Sequence, residues 1–165
     1  MGYKRFEDLP VWNEGIDLAV QVYALTSHPE FRTYRSLRVQ LERAAVSGSN
    51  NIAEGFERGT NKELLAFLYI ARGSAGEVRS MLCLLQRMRV FNLLAREINA
   101  LKERAESCSR QLKGWAQSLQ NSDFRGERHV SQKTKRIAQA AREREEFLQE
   151  LAQIRAKVSG ASNKE

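Results

Sequence analysis

The chain has 165 residues, 42% of them hydrophobic, which suits one folded domain or one domain with an appended arm. Its net charge is +7 and its pI near 9.7, and the 27 basic residues divide into 19 arginines and 8 lysines. With 2 prolines and 10 glycines, long stretches run unbroken, which argues against a fold of many short strands and favours helices.

The first helix is expected to start at Asp8 as N-cap with Pro10 in its first turn, and to end at "TSHPEF" around Pro29. Its apolar stripe is Val11, Trp12, Ile16, Leu18, Ala19, Val22, Tyr23 and Leu25. The second helix is expected from about Thr33 to Glu57, with Leu37, Leu41, Ala45, Gly48 and Ile52 on one face. Beside that face runs a second row, Gln40, Ala44, Ser47, Asn51 and Glu54, which is too regular for random surface decoration. The third helix opens on "TNKE", with Thr60 as N-cap and Glu63 completing a capping box. Leu64, Leu68, Ala71, Ala75, Val78, Leu82 and Leu85 then form a heptad seam. The fourth helix repeats the pattern with Leu94, Ile98, Leu101, Ala105, Cys108, Leu112, Trp115 and Leu119, and Asn92 is its expected N-cap. Together these predict an all-α, antiparallel up-down-up-down four-helix bundle over residues 1–120.

Counting outward from the turn at Gly59 and Thr60 sets Ala44 level with Ala75, Gly48 with Ala71 and Asn51 with Leu68. A close approach of the second and third helices is therefore expected, with Gly48, Gly73 and Gly76 among the small residues that permit it. Residues 121–165 read as a basic linker followed by an additional C-terminal helical arm from about Ser131 to Val158, whose apolar stripe Arg144 interrupts.

No catalytic constellation emerges. His28 and His129 stand apart, no phosphate-binding glycine loop follows a strand, and the glutamates of the bundle lack the histidines that a di-iron site needs. Neither metal nor cofactor is expected. Cys83 and Cys108 lie at heights that differ by about 12 Å on adjacent antiparallel helices, too far for a disulfide, and read as small core residues of a reducing compartment. No stretch reaches the roughly 18 apolar residues of a membrane span, and "MGYKRFEDLP" lacks the apolar run of a signal peptide, so a cytoplasmic location without membrane contact is expected. The arginine excess points to an acidic partner, because the guanidinium fork pairs bidentately with phosphate. A solvated basic surface without a partner is the reading that composition leaves open beside it.

Three motifs in order, "FEDLPVW", "QLERAAVSGSNNIAEGFERG" and "FLYIARGSAGEV", resemble the bacterial four-helix-bundle family of 23S ribosomal RNA intervening-sequence proteins, a family that includes the accessory variability determinant Avd of diversity-generating retroelements. The resemblance covers roughly residues 4–118. It departs from the family pattern at Glu42, where an arginine is usual, and at Gly48-Ser49-Asn50, which replace Ile-Pro-Ser. It implies a homo-oligomer, a pentamer in the relatives, and for an Avd-like member a reverse-transcriptase partner and RNA.

Two functions stand side by side. The first is a non-enzymatic, oligomeric RNA-binding scaffold, whose candidate contacts are Arg35, Arg38, Arg58, Lys62, Arg72, Arg79, Arg87 and Arg89, with Lys133, Lys135 and Arg136 in the arm. The second is a structural or protein-interaction bundle with no nucleic-acid role. Gln40, Ser47, Asn51, Glu54 and Gly55 read in either case as a polar lock between helices or subunits, because buried amides and carboxylates must find hydrogen-bond partners.

Overall fold

The computed structural model describes residues 3–121. The expected linker and arm, with Lys133, Lys135 and Arg136, lie outside the described residues. Four helices account for most of the rest: α1 (Pro10–Thr26), α2 (Arg35–Glu57), α3 (Asn61–Arg87) and α4 (Ala95–Gln120), joined by a 3-10 turn at Pro29–Arg32, a tight turn at Gly59 and a second 3-10 turn at Arg89–Leu94. No β-strand occurs among the described residues. α2 packs on α1 and α3, and α4 packs on α1 and α3, which makes the expected up-down-up-down bundle.

The helices follow the predicted apolar spacing closely, except that Tyr23 of the α1 stripe is exposed, one position beyond the buried Val22, and Leu37 near the start of α2 is half-buried. Every member of the α3 seam from Leu64 to Leu85 is buried, and so are Leu41, Ala45, Gly48 and Ile52 of α2. In α4 the seam holds through Leu112 and then drifts. Ala116 is buried, while Trp115 and Leu119 are only half-buried. A straight helix of 3.6 residues per turn slips against a strict 3.5-residue repeat, so the inward position moves by one.

Two starts differ from expectation. α1 begins at Pro10 with Leu9 as N-cap, because Phe6–Asp8 form a separate 3-10 turn that takes up Asp8. Asn92 does not cap α4: it sits inside the Arg89–Leu94 turn, and the helix starts at Ala95 without a side-chain cap. In both cases a short turn in front of the helix absorbs the polar residue near its start. The cap at Thr60 is formed as predicted. Its hydroxyl accepts from the Glu63 backbone N–H at 3.2 Å and donates to the Glu63 carboxylate at 2.7 Å.

The interior divides into two apolar clusters, one towards each end of the bundle. The first holds Phe31, Leu41, Leu82, Leu85, Phe91 and Ile98, and the second Leu9, Ile52, Leu64, Leu68 and Leu112. Small buried residues, among them Ala44, Ala45, Ser49, Ser74 and Ala75, lie on the middle turns of α2 and α3. This is the predicted close approach, with one correction. A Cβ added at Gly48, Gly73 or Gly76 would meet nothing within 4 Å, so none of these glycines is required for it. The tight contact is at Gly55, where a Cβ would lie 2.6 Å from Phe67 Cβ and 3.3 Å from Leu64 Cα. The register counted from the Gly59 turn holds, since Gly55 falls against Leu64. Gly59 itself, at φ +80, adopts the left-handed conformation that ends α2.

Candidate nucleic-acid interface

The polar row on α2 is hydrogen-bonded at its centre and exposed at its ends, and one of its bonds crosses to α3. The Ser47 and Ser74 hydroxyls meet at 2.9 Å across α2 and α3, and Asn51 donates to the Ser47 carbonyl at 2.7 Å and to its hydroxyl at 3.0 Å. Ser74 also donates to the Ile70 carbonyl at 3.2 Å, so the polar atoms brought into this seam are used. Gln40 and Glu54 are exposed, which removes them from the lock. Glu54 pairs with Arg58 at 2.7 Å instead. Gly55 serves packing against Phe67 and Leu64. Two open hollows flank the row, one lined by Gln40, Arg43, Ser47, Glu77, Ser80 and Met81, the other by Tyr23, Arg43, Val46, Asn50, Asn51 and Glu54.

All the candidate basic residues within the described region lie off the apolar seams, exposed or half-buried. Their ion pairing separates them into two groups. Arg38 pairs with Glu42 at 2.8 Å, Arg58 with Glu54 and with Glu63 at 3.6 Å, and Arg79 with Glu106 at 3.7 Å. Arg58 also stacks its guanidinium 4.8 Å from the centre of the Phe67 ring. Arg35, Lys62, Arg72, Arg87 and Arg89 have no carboxylate within 4.0 Å among the described residues. Glu42 is also bonded by the Thr26 hydroxyl at 2.6 Å, so its charge is spent inside the fold.

The topology then does what the sequence pattern could not show. α1 and α3 end, and α2 and α4 begin, at the same end of the bundle. There the turn Pro29–Arg32 is seated on the turn Arg89–Leu94 through aromatic contacts: Phe31 lies 4.7 Å from Phe91 between ring centres, and Tyr34 lies 5.6 Å from Phe91. That contact gathers Arg32, Arg35, Arg87, Arg89 and Arg96, all exposed, on one end. Arg32, Arg35 and Arg38 line a single shallow hollow with Phe31, Val39 and Glu42. Of the nearby carboxylates, Glu42 is committed as above, Glu97 lies 3.5 Å from His28, and Glu30, in the Pro29–Arg32 turn itself, makes no ion pair within 4.0 Å among the described residues. His28 is thus not isolated, as its place beside Pro29 suggested. Arg32, Arg43 and Arg96 were absent from the candidate set; Arg32 and Arg96 join the cluster only through the pairing of turns distant in sequence.

No group of three or more histidine, cysteine or acidic side chains placed to hold a metal occurs among the described residues. Cys83 and Cys108 are both free thiols. Cys108 is buried, and its burial pushes the thiol up to about 11. Cys83 is half-exposed, not the core residue expected. No helix among the described residues is long and apolar enough to cross a membrane.

The family model described as 23S rRNA-intervening sequence protein matches residues 7–114, more than half of the chain. The chain belongs to that family. The matched region runs from the turn before α1 to near the end of α4, so the four helices described above are the family's domain in this protein. No curated protein matches the chain.

Proposed function

We propose that this intervening-sequence protein is a non-enzymatic scaffold that binds RNA as a homo-oligomer. The observation that carries the reading is the set of arginines left without carboxylate partners, in a chain whose net charge is +7. An arginine held by a glutamate has little left for a phosphate, whereas an unpaired one can form two parallel N–H···O bonds with it. A ring of copies multiplies the charge presented to one RNA strand and adds avidity. The specific form of this reading is an Avd-like role, in which the protein is the accessory partner of a reverse transcriptase in a diversity-generating retroelement; a homopentamer is the assembly that goes with it.

Assembly is supported by the outward face of α3. Tyr69, Ile70 and Leu84 are 45%, 51% and 48% exposed, and beside them lie the exposed Gly73 and Gly76, which leave room for a neighbouring helix. The same face favours the rival reading, a protein-interaction bundle without a nucleic-acid role. A filter-binding titration against single-stranded RNA over a range of salt decides between them. The RNA reading expects affinity that falls steeply with salt; no affinity even at low salt would sink it. Light scattering tests the assembly: a stable monomer refutes the pentamer. Asn51→Leu, which cuts the hydrogen bonds to Ser47, should change the assembly before it changes RNA affinity. Co-purification with a co-expressed reverse transcriptase after nuclease treatment tests the Avd-like form.

A further inference from the structure

We infer that RNA is engaged end-on, through its phosphodiester backbone, at the end of the bundle formed by the turns Pro29–Arg32 and Arg89–Leu94. The inference rests on the RNA-binding reading above and names the surface that carries it.

Three observations select this end. Arg32, Arg35, Arg87, Arg89 and Arg96 converge there, all are exposed, and none has a carboxylate within 4.0 Å among the described residues. The opposite end, where the Gly59 turn lies, spends much of its basic charge internally. Arg5 is held by Glu7 at 2.6 Å, and Arg58 by Glu54 and Glu63. Along the sides, Arg104 is held at 3.2 Å by Glu14 and at 3.1 Å by Asp17, and Glu106 takes both Arg79 and Arg110. Five of the seven arginines that lack a carboxylate within 4.0 Å among the described residues therefore stand at this end; the other two are Arg43 and Arg72, and Lys4, Lys62 and Lys113 are unpaired elsewhere.

The mounting matters as much as the charge. Arg32 and Arg89 belong to 3-10 turns whose Phe31 and Phe91 are each 1% exposed and stacked on each other. The backbone that carries Arg32 and Arg89 is thus fixed by a packed aromatic pair, which lowers the entropy lost when a flexible RNA strand is bound. Phe31 and Phe91 are buried and offer no ring for base stacking, and Tyr34 is half-buried against Phe91. The contact assigned to this end is with backbone charge, which carries no sequence information. An acidic protein surface could meet the same arginines, because carboxylate and phosphodiester both offer two anionic oxygens to a guanidinium, and competition by a polycarboxylate separates the two.

The test uses the full chain and a fluorescently labelled single-stranded RNA of mixed sequence. The triple variant Arg32→Gln, Arg35→Gln, Arg89→Gln removes three charges from this end. The matched triple Lys4→Gln, Arg43→Gln, Lys113→Gln removes three exposed charges from elsewhere. The end-on inference expects the triple at this end to lose at least about tenfold in affinity at low salt, with a salt slope shallower by about 0.7 for each phosphate contact removed, and the matched triple to lose markedly less. Equal losses overturn the end-on site while leaving RNA binding intact. Equal competition by polyglutamate of matched charge overturns the phosphate-specific form. Failure of the parent to bind RNA at all removes both this inference and the function it deepens.

Discussion

The two ends of this bundle solve the same problem, turning the chain between helices, by different means. At the Gly59 end the solution is local: a left-handed glycine, the Thr60–Glu63 capping box and the Arg58 pairs with Glu54 and Glu63 all lie within ten residues of one another. At the other end it is long-range: Phe31 and Tyr34 reach a phenylalanine some sixty residues away in sequence, at Phe91. The local end pairs its Arg58 as it folds and leaves Lys62 free. The long-range end is held by apolar contact and leaves five arginines unpaired, and that is why the proposed RNA contact is placed there.

Substitutions at each end break this comparison in order of size. Phe91→Ala removes a ring that is 1% exposed from under two turns, and should cost about 3–5 kcal/mol of unfolding free energy. Chemical denaturation measures it, and a loss below 1 kcal/mol would show that aromatic packing does not hold the basic end. Gly55→Ala drives a methyl to within 2.6 Å of Phe67 Cβ, and should cost about 1–3 kcal/mol. A neutral result would mean that α2 and α3 can separate near their turn at no cost. Thr60→Ala deletes the cap and should cost about 0.5–2 kcal/mol, read as a lower melting temperature. Gly48→Ala runs the other way. The site has room for the methyl, so gained helix propensity should stabilise by up to about 1 kcal/mol. A destabilised Gly48→Ala would restore the close contact that the structure denies.

The smallest effect is a pH dependence. Unfolded, a cysteine loses its proton near pH 8.5; in the fold Cys108 keeps it to about 11. Its contribution to stability is therefore complete below about pH 8.5 and is lost as pH rises towards about 11. Melting temperatures across that window should fall less for Cys108→Ala than for the parent. Iodoacetamide near pH 8 should label Cys83 and spare Cys108, and equal labelling would contradict the burial.

Much of this fold was legible in the residues. The α3 seam, the Thr60 cap and the up-down order follow from heptad spacing and one capping box, because each is fixed by neighbours within a turn or two of the chain. The errors, Asp8 and Asn92 as caps and Gly48 as a close contact, share a cause: each depended on how a short turn or a helix pair sits in space, which spacing does not specify. The polar row shows the same divide. Ser47 and Asn51 could be placed on one face from the sequence, with Ser74 on the facing helix, but the hydroxyl contact of Ser47 with Ser74 and the release of Gln40 and Glu54 to the surface could not. So it is with the charges. The sequence alone determined that the protein is basic, arginine-rich and helical. Which arginines remain unpaired, and that they gather at one end, was decided only when folding set Phe31 on Phe91, since an ion pair or a cluster is a property of distance in space and not of separation along the chain.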